Sequence, residues 1–155
     1  MSLNSGGIIT AIAQLSITGI RVLDVTALPN LLQGRTNEVP CLIPDPVGMV
    51  TGGAGTGSIG MATFGTPSTH YWQFSRTYRY QYLHAKVGTG RGIQDHYSDL
   101  CNKSDRILEA LTTLNVTNVD VLSINVGNFG TFGDPSGNEF FGFSLDINVR
   151  EVLNG

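Results

Sequence analysis

Residues 141–149 alternate without a break: Phe141, Phe143, Leu145, Ile147 and Val149 share one parity, and Gly142, Ser144, Asp146 and Asn148 the other. Successive side chains of an extended backbone point to opposite faces, so this is a β-strand with one oily and one wet face. A slip of one residue would turn every apolar group toward water. Such a strand therefore fixes its own register and must lie over a core, and that core has to come largely from one helix and a few other strands.

The best helix falls at residues 95–114, where Tyr97, Leu100, Cys101, Ile107, Leu108, Leu111 and Leu114 recur at helical spacing. Asp99, Lys103, Asp105, Arg106 and Glu109 take its other side, and Asp95 reads as a capping or dipole-favoured acid at its start. A shorter helix is predicted over residues 5–15, capped by Ser5, with Ile8, Ile9, Ile12 and Leu15 on one face and Gly19 beyond its end. Residues 20–25 and 39–43 read as brief extended pieces among Pro29, Gly34, Pro40, Pro44 and Pro46.

Residues 71–86 return to a strand pattern. Trp72, Phe74, Tyr78, Tyr80 and Tyr82 share a parity against Gln73, Ser75, Thr77, Arg79 and Gln81; Arg76 interrupts the aromatic face, which is therefore not expected to be all core. Residues 116–126 form a further strand and 127–138 a turn rich in Gly, Asp and Pro. Between the early and middle strands, residues 48–69 hold seven glycines, five threonines, two serines and no charge. That composition suits a loop or a long, loosely twisted hairpin arm. The predicted fold is α+β: a mostly antiparallel twisted sheet with a central helix packed on one face, an N-terminal helix and the glycine-rich arm.

The chain of 155 residues fits a single domain, with 48–69 as an arm within it. Charged residues make up 14%, low against the ~25% usual for soluble domains, as suits a protein packed against other subunits. Net charge is −3 and the nine Lys and Arg are scattered, so no nucleic-acid contact is expected. No segment approaches the ~20 apolar residues of a membrane span, and residues 8–23 lack a signal peptide's flanks, so a soluble, unexported protein without a membrane partner is expected. Cys41 and Cys101, beside Leu42 and Leu100, read as buried free thiols.

Motifs that tempt do not hold. Gly55, Gly57 and Gly60 match the G-x-G-x-x-G fingerprint, but Phe64, Gly65, Thr66, Pro67 and Ser68 follow instead of a helix. His70, His84 and His96 have no metal-site spacing with each other or with the two cysteines. There is no G-x-S-x-G elbow, and the carboxylates are too sparse to nominate an acid/base pair: Asp134 lies in a turn and Asp146 on the wet face of the last strand. No catalytic residue, cofactor or metal ligand is assigned, and the chain is not read as an enzyme.

The phrases Ile17-Thr-Gly-Ile20, Ala27-Leu-Pro-Asn30 and Val39-Pro-Cys-Leu-Ile-Pro44, with the central helix and the closing strand, together resemble the tail terminator proteins of long-tailed bacteriophages. The resemblance covers nearly the whole chain and lies in element order, size and short phrases. It implies a structural virion protein that forms a homohexameric ring on the tail tube, stops its polymerisation and offers a surface for joining the head. The implied partners are further copies of the chain, the tail tube protein and a head–tail connector or head completion protein. The implied place is the virion tail, reached from the host cytoplasm during assembly.

The resemblance also implies that the arm takes part in ring or tube contacts, which nominates Gly52, Gly53, Gly55 and Gly57. Tyr78, Arg79, Tyr80 and Tyr82 are nominated as subunit contacts because Tyr and Arg are enriched at interfaces; ordinary packing on the sheet face competes with that reading. Two other functions stay open: another head–tail joining or tail tube protein, and, more distantly, a small-ligand enzyme using the glycines around Gly55 as an anion loop.

Overall fold

A computed structural model describes residues 5–23, 39–44, 57–63, 70–88, 92–133 and 139–154. The elements, in chain order, are α1 (Ser5–Ala13), β1 (Arg21–Val22), β2 (Cys41–Pro44), β3 (Gly57–Thr63), β4 (His70–Lys86), a 3-10 turn (Gly92–Asp95), α2 (Tyr97–Leu111), β5 (Val119–Val126), β6 (Gly130–Gly133) and β7 (Glu139–Asn154). The fold is α+β. Its sheet runs β1-β2-β4-β7-β5, with β3 on β4 and β6 on β7. Every pairing is antiparallel except β1 with β2, which makes the sheet mixed.

β4 and β7 form the spine, paired from Tyr71↔Asn154 to Lys86↔Phe140. Each long strand shares its outer edge between two short ones. β3 pairs the first part of β4 and β2 its later part, while β5 pairs the C-terminal part of β7 and β6 its start. The alternation in β7 has the expected consequence: Phe141, Phe143, Leu145, Ile147 and Val149 are all buried. Tyr82, Tyr80 and Tyr78 stand opposite Phe143, Leu145 and Ile147 on the same face. Leu100, Ile107 and Leu111 of α2, together with Ile8 and Ile12 of α1, close over them in one core. Burying each such aliphatic side chain is worth about 1.5–3 kcal/mol.

Two one-residue register shifts adjust the sheet. β5 slips against β7 between Val121 and Ser123. The slip changes parity, so Val119, Val121, Ile124 and Val126 all pack against the core although their spacing is not a uniform two. Leu122, the residue at the shift, is left 53% exposed. β4 slips between Leu83 and Ala85, which places His84 in the bulge. Beside it the backbones come so close that a β-carbon on Gly142 would fall onto the Tyr82 carbonyl. Only glycine fits there.

Several boundaries differ from the sequence-based expectation. α2 covers Tyr97–Leu111 instead of 95–114. It stops because Thr112 and Thr113 donate their hydroxyls to the carbonyls of Glu109 and Ala110, at 2.6 Å each, competing with the next helical turn. Asp95 does not cap it; the N-cap is His96, and Asp95 ends the preceding 3-10 turn. The strand predicted at 116–126 begins at Val119, because Val116 and Val119 bridge across a tight turn that puts Asn118 at φ 62°. The segment predicted as turn, 127–138, contains β6. Its four residues, Gly-Thr-Phe-Gly, set two strand formers between glycines, too short a run to read alone, and are held by the ladder to β7.

The face away from α2 has a small core of its own at one end: Cys41, Leu83 and Phe140, flanked by Leu23, Val39, Ile43 and Phe132. Both cysteines are free thiols, Cys41 buried and Cys101 half-buried. Of the arm at 48–69, only 57–63 falls within the described residues, and it forms the hairpin strand β3. No helix among the described residues is long and apolar enough to cross a membrane.

Two substitutions test this packing. Leu145→Asp buries an unpaired charge in the middle of the main core and is expected to cost about 4 kcal/mol or more, read as loss of the cooperative urea transition. An unchanged midpoint would mean that the oily stripe faces outward. Gly142→Ala, a single methyl, is expected to destabilise by more than the ~1 kcal/mol typical of a point mutation, because the obstacle is backbone.

Candidate functional site

The nominated residues do not converge. Gly52, Gly53 and Gly55 lie outside the described residues. Gly57 starts β3 opposite Arg76 and Gly60 stands opposite Gln73, so these glycines belong to a strand, and among the described residues no helix N-terminus follows it to hold an anion. Tyr78, Tyr80 and Tyr82 are 3%, 1% and 0% exposed. This corrects the expectation that they present a contact surface: their parity matches the apolar parity of β7, and α2 covers both strands. The aromatic face stops being core where Arg76 interrupts it. The Arg76 guanidinium lies over the Phe74 ring at 4.6 Å and reaches the Tyr78 hydroxyl at 3.4 Å. Arg79 alone of the nominated side chains lies on the opposite, wetter face.

That face is ordered by polar pairs between directly opposed residues. Arg79 forks onto Asp146, Nε to Oδ1 at 2.8 Å and Nη2 to Oδ2 at 3.2 Å. Thr77 donates to Asn148 Oδ1 at 2.6 Å, and Asn148 donates to Ser123 Oγ at 2.9 Å, tying β4, β7 and β5 in one row. Arg150 donates to Asp120 at 3.0 Å. The two arginines and two aspartates of this row are thus paired with one another.

At its margin β5 ends the sheet: among the described residues no strand pairs with its outer edge. There Leu122 is exposed and joins Leu111, Leu114, Asn115, Asp120 and Ser123 among the residues that line a groove of about 480 Å³ of mixed polarity. An unpaired row of backbone donors and acceptors next to an exposed apolar side chain is a template for pairing with another chain.

A second cluster sits where α2 begins. The Tyr82 hydroxyl is 2.8 Å from His84 Nδ1, the rings of His84 and His96 are 5.3 Å apart, and His96 lies 5.1 Å from Phe141. Burial, followed by the nearby Cys41 and Asp99, pushes the Tyr82 phenol well above its ordinary range. Burial, then His96, pulls the His84 imidazole below its ordinary value. The buried phenol stays protonated and is spent on its hydrogen bond with His84. Among the described residues no group of three His, Cys, Asp or Glu side chains could hold a metal ion. Tyr82 and His84 share a parity, so their proximity was open to sequence reasoning, whereas the bulge at His84 and its contact with His96 leave no local mark. Neither a protein-family model nor a curated protein matches the chain.

The Arg79 and Asp146 side chains are 37% and 32% exposed in the single chain, so in dilute, dissociated protein a double-mutant cycle between Arg79→Ala and Asp146→Ala is expected to give a coupling no larger than about 1 kcal/mol. A coupling of several kcal/mol there would mean that this face is covered even in the dissociated chain.

Proposed function

We infer that the chain is a structural virion protein that assembles through its open sheet edge and polar sheet face into a ring, caps a bacteriophage tail tube and stops its growth. The observation that carries this reading is the juxtaposition of the β5 edge, unpaired among the described residues and carrying exposed Leu122, with a sheet face on which Arg79, Asp146, Arg150 and Asp120 are already paired. Interface cores exclude unpaired charge and accept satisfied polar pairs, and a free edge joins copies head to tail when its partner lies elsewhere on the next copy. The element order and the low charge content support the same reading through the resemblance to tail terminator proteins. Termination follows when one ring face matches the tube and the other cannot add another tube ring. The tail tube protein and a head–tail connector or head completion protein are the partners this mechanism requires.

Native mass spectrometry and negative-stain microscopy of the purified protein, alone and with tube protein, test it. Closed rings, six-membered by the resemblance, and tails that stop lengthening when the protein is added are expected. Monomers under both conditions would overturn the reading. Tails that lengthen by incorporating the protein would assign it to the tube instead.

A further inference from the structure

We draw no further inference here: the strongest candidate, the outer edge of β5 with exposed Leu122 and the groove beside it, belongs to the assembly surface already described, and nothing in the structure shows which segment of another chain covers it.

Discussion

The register between β4 and β7 places Tyr78, Tyr80 and Tyr82 directly across from Ile147, Leu145 and Phe143, and the remaining elements take their places from that one ladder. Because both strands put their large apolar groups on the same face, a single helix suffices to seal the core, with α1 filling its flank. The same ladder fixes the other face by subtraction. Thr77, Arg79, Asp146 and Asn148 have no choice but to point away from α2, and they meet as complementary pairs because the register opposes them. Core and polar surface are two outcomes of one alignment.

The bulges show how the short strands are fitted to that spine. β5 carries Val-Asp-Val-Leu-Ser-Ile-Asn-Val, whose apolar residues change parity halfway. Without a slip, either Val119 and Val121 or Ile124 and Val126 would face water. One extra residue puts all four inward and exposes Leu122 alone. In β4 the corresponding slip carries His84 to the start of α2 and demands Gly142 opposite. One irregularity thus supplies the exposed apolar residue at the sheet edge, and the other the histidine contact at the helix end.

Much of the fold was legible because its main signals are strong and local. The alternation of 141–149, the helical spacing from Leu100 to Leu111 and the isoleucines of α1 each specify a buried stripe without reference to the rest of the chain. What escaped depends on tertiary pairing. β6 is a strand only because β7 is beside it, and His96 became the N-cap because the 3-10 turn consumed Asp95. The nominated site fared worse for a physical reason: Tyr is enriched at interfaces and common in cores, and only the shared parity with Phe143, Leu145 and Ile147 separates the two. Arg79, nominated with the tyrosines, has the wet parity and stands across from Asp146.

The functional reading turns on whether the outer edge of β5 meets another chain. Amide exchange along β5, compared between dilute monomer and assembled protein, measures that edge itself. The amides of β5 that do not bond to β7 are expected to exchange rapidly in the monomer and to become protected on assembly, while those bonded to β7 change little. Equal exchange of the outward amides in both states would contradict the assignment of this edge as the surface through which copies join.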